Sequence, residues 1–150
     1  MLSTLAAAPA ASALAADAIT GPVVVKDGDY LIVGEVHVRL YGIDAFERAQ
    51  VCGDPPWPCG ETARDRLVAL VADHDVACEP RSHDRWDRVV AICRVGTVDL
   101  GAVLVREGLA VEFQRWSYDY VDEEKAARAE RVGVWAGPFT FPWDFRREAF

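Results

Sequence analysis

A small five-stranded β-barrel carrying three α-helices, an α+β architecture, is the fold this sequence predicts. Three observations lead to it. Short runs of alternating apolar and polar residues follow one another through residues 23–41, separated by tight turns. Two further strand-like runs flank a charged turn at residues 82–87, and three other stretches read as helices from their apolar spacing or their caps. At 150 residues the chain is one domain of ordinary size, able to bury a core without outside help.

The first twenty residues contain no Lys or Arg, are dominated by Ala, Leu and Ser, and offer a small-residue site at Ala13-Leu14-Ala15 ahead of Asp17. They read as a secretory leader without its basic n-region, and an Ala-rich disordered or weakly helical arm is the alternative. Gly21-Pro22 ends that segment, so the folded domain is expected over residues 21–150. No later apolar run is long enough to span a bilayer.

Val23 to Lys26 forms the first expected strand, Asp27-Gly28-Asp29 a hairpin-type turn, and Tyr30 to Val33 the returning strand. Gly34-Glu35 turns the chain again. Val36 to Tyr41 then alternates, placing Val36, Val38 and Leu40 on one face and His37, Arg39 and Tyr41 on the other. From Phe46 to Gly60 the chain reads as loop, with Pro55, Pro56 and Pro58 around Trp57. A helix over Thr62 to Val71 follows from Ala63, Leu67, Leu70 and Val71.

Val76 to Glu79 and Val89 to Val95 are the fourth and fifth strands. A short helix over Leu100 to Glu107 has Asp99 as its N-cap and Gly108 as its stop. The third helix, roughly Tyr120 to Val132, carries Glu123, Glu124, Lys125, Arg128, Glu130 and Arg131 on its wet side, packs through Val121, Ala127 and Val132, and ends at Gly133. The segment from Trp135 to Trp143 is too aromatic for solvated disorder and is expected to clamp against the domain. Five strands with intervening helices at this length suggest a closed sheet of the oligonucleotide- and oligosaccharide-binding type, which presents a groove between its loops.

The formal charge is −8, from 16 basic and 24 acidic residues, so long-range attraction cannot draw a polyanion to the chain. Contact with nucleic acid must be local and calls for a divalent cation. Four cysteines, an even count in a small protein, favour an oxidising compartment. Of the three possible pairings, Cys52 with Cys59 and Cys78 with Cys93 are favoured: the first closes the Pro-rich loop and the second joins adjacent strands. A zinc site is the rival, but the cysteines lack short paired ligand spacing.

Arg39, Asp44 and Glu47 cluster at the end of the third strand, Asp29 lies in the preceding turn, and Arg88 belongs to a second charged run, Asp84-Arg85-Trp86-Asp87-Arg88. Two arginines and three acids are the groups metal-assisted phosphodiester hydrolysis needs: a hard cation held by oxygens, a base for water and an anion clamp. Each part has a plainer explanation. Asp27-Gly28-Asp29 is a common turn, and Arg39 with Glu47 could be a surface ion pair of little energetic weight.

Five motifs tip the balance: Val25-Lys26-Asp27-Gly28-Asp29, the run from Val38 to Glu47, Asp84 to Arg88, Leu104 to Ala110, and Gly133-Val134-Trp135. Their order resembles that of the staphylococcal nuclease (thermonuclease) family, from about Val23 to Trp143, and most closely its exported bacterial members. The resemblance implies an oligonucleotide-binding barrel and a Ca2+-dependent, sugar-nonspecific nuclease acting as a monomer on DNA and RNA, preferentially single-stranded, and leaving 3′-phosphate ends. Asp29, Asp44 and the Ala45 carbonyl match the family's calcium ligands. Glu47 matches the residue that activates the attacking water. Arg39 and Arg88 match the two guanidinium groups that hold the scissile phosphate, a task suited to planar forked donors. Trp86, Phe113 and Trp116 are candidates for stacking on bases, against the commoner fate of core packing. His37, His74 and His83 read as surface residues.

The sequence departs from that pattern at Tyr30 (usually Thr), Phe46 (usually Pro), Trp86 (usually Tyr) and Asp87 (usually Gly). Without the Pro, φ is free just before Glu47, which predicts a less rigidly held base. Asp87 must take a left-handed turn and brings a negative charge beside Arg88. The alternative reading is therefore a nuclease-like module with weakened catalysis that keeps its groove for nucleic acid or a protein.

Overall fold

The computed structural model describes residues 18–113 and 117–149. Nine strands and four α-helices follow in the order β1 (Ile19–Thr20), β2 (Val23–Asp27), β3 (Tyr30–Val33), β4 (Val36–Leu40), β5 (Ile43–Ala45), α1 (Cys59–Val71), β6 (Ala77–His83), β7 (Val89–Val95), β8 (Val98–Asp99), α2 (Leu100–Arg106), β9 (Ala110–Glu112), α3 (Val121–Glu130) and α4 (Pro142–Glu148). A 3₁₀ turn spans Gly133–Ala136.

The main sheet is mixed, in the order β1-β6-β7-β4-β3-β2, with β8 paired to β7, and β5 and β9 form a separate two-stranded ladder. The β2-β3-β4 meander is antiparallel, as the alternating runs predicted. The link between the two halves is a parallel pairing of β4 with β7, in which Val38 faces Val89 and Arg39 faces Val90. That register puts Arg88, just before β7, two residues from the ladder partner of Arg39.

Two expectations are corrected. The sheet does not close by pairing into a five-stranded barrel: the ends of its path, β1 and β2, are successive in the chain but are not hydrogen-bonded to each other. Gly21, with φ of 142°, and Pro22, which has no N–H, interrupt the strand between them. Among the described residues there are also four α-helices instead of three, because Pro142 starts a helix at its first position within the aromatic segment, where its fixed φ suits a helical start.

Helix boundaries follow local chemistry. Asp99 caps α2, its Oδ1 accepting from the Ala102 N–H at 3.2 Å, and Gly108 follows at φ 69°. α1 begins at Cys59, one turn earlier than predicted, directly after Pro58. α3 stops at Arg131, which adopts φ 53°, two residues before Gly133. Glu124, expected on its wet side, is instead buried, with Oε1 accepting from the Glu112 N–H at 3.0 Å and Oε2 paired with Arg128 at 3.2 Å.

The main core joins Leu31, Val33, Val38 and Leu40 of the meander to Ala63 and Leu67 of α1 and Leu100 and Leu104 of α2. A second core gathers Phe46, Cys52, Cys59, Val111 and Val134 under the aromatic tail residues Trp135, Phe139, Phe141 and Trp143. The tail thus clamps the domain, as its composition predicted. Both favoured disulfides are present, Cys52 with Cys59 and Cys78 with Cys93, the second joining direct cross-strand partners. With all four sulfurs so used, no thiolate remains for zinc.

Candidate active site

Asp29 leaves the β2–β3 turn, and its position is set by packing. A Cβ on the adjacent Gly28 would stand 2.9 Å from the Ala45 Cβ and 3.0 Å from the Ala63 Cβ, so only glycine lets the turn close onto β5 and α1. The Ala45 N–H donates to Asp29 Oδ2 at 2.9 Å. Arg39, opposite Tyr30 in the β3–β4 ladder, places Nη1 3.1 Å from Asp29 Oδ2 and Nη2 3.5 Å from Asp44 Oδ1. One guanidinium therefore bridges two carboxylates supplied by different elements.

Asp44 lies in β5, opposite Val111, and only 1% of its side chain is exposed. Burial pushes its carboxyl above the ordinary value, and hydrogen bonding from Arg146 works against that rise. Arg146, on α4, is the residue that sequence reasoning missed. Its Nη1 and Nη2 donate to Asp44 Oδ1 and Oδ2 at 3.0 and 2.8 Å, and Nη1 also donates to Glu47 Oε1 at 2.6 Å. The hydrogen bonds to Asp44, foremost, hold the guanidinium well above its usual pKa.

Glu47 is held by its loop in a way the sequence did not suggest. Its N–H donates to Gln50 Oε1 at 3.1 Å, and the Gln50 amide, itself buried, donates onward to the Thr140 carbonyl at 2.5 Å. Behind it, a Cβ on Gly60 would fall 1.8 Å from the Glu47 carbonyl oxygen, so α1 is pressed directly onto the loop. Phe46 is 1% exposed and meets Phe139 edge to face at 5.7 Å. Packing of a large ring, in place of a proline's fixed φ, anchors the residue before Glu47. Phe46→Ala is expected to cost about 3–5 kcal/mol of stability, read from the urea unfolding midpoint; a loss below about 1 kcal/mol would contradict this anchoring.

Arg88 is fixed by Asp84, whose Oδ2 accepts from its Nε at 2.7 Å while Oδ1 accepts from the N–H groups of Trp86 and Arg88 at 3.0 Å. Burial raises the Asp84 carboxyl, but the hydrogen bonds from Arg88 outweigh it and hold the group below its ordinary value. Asp87 adopts φ 62°, the left-handed turn anticipated for it. The Arg88 guanidinium lies 5.0 Å from the Tyr30 ring centre and 5.4 Å from that of Trp86, giving the unusual Tyr30 a supporting contact.

Asp29, Arg39, Asp44, Glu47, Arg88, Trp86 and Phe113 all line one groove of about 620 Å³, and Arg146 shares it. Trp86 stands 64% exposed at its edge, free of the core. Trp116 lies outside the described residues. Ala45 is fixed opposite Ala110 in the β5–β9 ladder. His37, His74 and His83 are exposed.

Among the described residues, no three His, Cys, Asp or Glu side chains converge as metal ligands. The donors near Asp29 and Asp44 are nevertheless hard oxygens close enough to share one guanidinium, which suits Ca2+ with water completing its shell. The chemistry fits, although both Asp44 oxygens are engaged by Arg146.

Comparison with known proteins shows what the chain is similar to. The chain is 32% identical over 127 residues to the succinoglycan biosynthesis protein ExoI of Rhizobium meliloti, a match covering 81% of this chain and 66% of that protein. It is 32% identical over 127 residues to the probable endonuclease LCL3 of Scheffersomyces stipitis, covering 75% and 54%. Less than two thirds of either relative's length is spanned. A micrococcal nuclease of Shigella flexneri is 29% identical over 146 residues, covering 82% of this chain and 77% of that one. The family model described as staphylococcal nuclease homologue matches residues 37–137, the stretch that runs from Arg39 through Glu47 and Arg88 to the foot of the aromatic tail. The chain belongs to the staphylococcal nuclease homologue family.

Proposed function

We propose that this protein is a Ca2+-dependent, sugar-nonspecific nuclease that hydrolyses DNA and RNA phosphodiesters, single-stranded in preference, to 3′-phosphate products. The observation that carries the reading is the gathering of Arg39, Arg88, Glu47, Asp29 and Asp44 on one groove by elements far apart in sequence. Arg39 and Arg88 bind the non-bridging oxygens of the scissile phosphate and offset the charge that grows at phosphorus. Glu47 takes the proton of the attacking water. Asp29, Asp44 and the Ala45 carbonyl hold Ca2+, which when bound supplies Lewis acidity beside that phosphate. Trp86 and Phe113 offer ring faces to flanking bases, and Trp116 is assigned the same role.

The protein acts as a monomer. We place an export leader ahead of β1, which pairs with β6, and the folded domain over residues 21–150 together with that strand; both disulfides support an oxidising destination. No helix among the described residues is long and apolar enough to cross a membrane.

Arg146 on the metal-binding and base carboxylates favours a second reading, a groove that binds nucleic acid without cutting it. A Ca2+ titration of cleavage of single-stranded DNA separates the two. The nuclease reading expects activity that rises with Ca2+, disappears in excess chelator and leaves 3′-phosphate ends; binding without cleavage at any Ca2+ concentration selects the second, and full activity in chelator removes the metal assignment.

A further inference from the structure

Resting on the calcium reading, a third arginine acquires a role. We propose that Arg146 is a resident cation that competes with the divalent ion for Asp44 and Glu47, and that Glu112 receives its guanidinium when the ion binds.

The competition follows from the geometry. Any ion held by Asp44 needs at least one of its carboxylate oxygens, and Arg146 donates to both, at 3.0 and 2.8 Å. The same guanidinium donates to Glu47 at 2.6 Å and so occupies a carboxylate oxygen that would otherwise face the attacking water. Arg146 therefore stabilises the ion-free site and opposes the working one.

A second position for the guanidinium is already built. Arg146 also lines an adjoining cavity of about 630 Å³, bounded by Glu112, Phe113, Trp143 and Arg147 among others. Glu112 is 3% exposed, and its Oε2 has no hydrogen-bond partner among the described residues, while Oε1 accepts from the Tyr120 N–H at 3.3 Å. A buried carboxylate oxygen left unpaired is costly unless something visits it. The Arg146 side chain is 40% exposed, so it can cross without uncovering the core. The start of its helix stays pinned by buried Pro142 and by Trp143 stacked on Phe141 at 4.8 Å.

The test is calorimetric titration of the full chain with CaCl2, comparing the parent with Arg146→Met, Glu112→Gln and, as a donor-loss control, Asp44→Asn. Circular dichroism establishes that each is folded. Arg146→Met is expected to bind Ca2+ at least about tenfold more tightly than the parent, since Asp44 and Glu47 lose their internal cation. Glu112→Gln, which keeps the bond to Tyr120 but weakens the receiving charge, is expected to bind several-fold more weakly. Equal affinity in the parent and Arg146→Met, with binding lost in Asp44→Asn, would overturn the competition while leaving the calcium site in place. Should Arg146→Met not fold, unchanged affinity in Glu112→Gln overturns the exchange by itself. Absence of Ca2+ binding in every protein would remove the calcium reading and this proposal with it.

Discussion

Glu47→Gln is expected to lower kcat on single-stranded DNA by about 10²–10⁴-fold, the range associated with losing a positioned general base, with little change in the thermal midpoint. The near-isosteric amide retains a carbonyl oxygen that can accept from Arg146, and the backbone N–H that donates to Gln50 is untouched. The Arg146–Glu47 ion pair is partly solvated, 40% and 37% exposed, and pairs of that kind add about 0–1 kcal/mol. Rate and stability should therefore separate cleanly. Single-turnover kinetics beside a thermal melt makes the comparison, and a variant cutting within a few-fold of the parent rate would take Glu47 out of the chemical step.

Arg39→Lys should also be severe, about 10²–10³-fold in kcat, the cost typical of losing a donor aimed at developing negative charge. Unlike the Glu47 change, it should reach stability. The Arg39 fork touches Asp29, Asp44 and the Leu40 carbonyl at 3.1, 3.5 and 3.3 Å. A single ammonium cannot span that set, and Asp44 is too buried for water to take over. Removing a partner from a buried pair outright costs about 3–5 kcal/mol, so the retained charge of Lys should leave a smaller loss, measurable by urea denaturation. Unchanged kcat with lowered stability would make Arg39 a structural residue only.

The parts of this molecule legible in sequence are those whose causes are local. Alternation from Val23 to Leu40 gave the meander, and Asp99 and Gly108 bracket α2 through their own capping chemistry. Asp29, Asp44, Arg39, Glu47 and Arg88 were nameable because the motifs that carry them resemble those of a known family. What escaped depends on distant partners. β5 and β9 are three residues each and exist because they pair with one another. Glu124 reads as an exposed acid on any helical projection, and its burial is explained by the Glu112 N–H together with Arg128. Arg146 lies 102 residues beyond Asp44 in a tail whose visible signal is aromatic. The replacement of Pro by Phe46 suggested a looser base until Phe139 supplied the other half of the contact.

The loop carrying Glu47 has its supports at the far end of the chain. Gln50 reaches Thr140, 90 residues later, Gly53 donates to the Pro138 carbonyl at 2.7 Å, and Phe46 meets Phe139. Contacts so distant in sequence form late, after local hairpins and helices. On a translating ribosome, the strands and α1 emerge well before the segment that steadies Glu47. A growing chain therefore carries the candidate site's acids and arginines before the framework that aligns Glu47 is in place. Alignment of Glu47 waits on the aromatic tail.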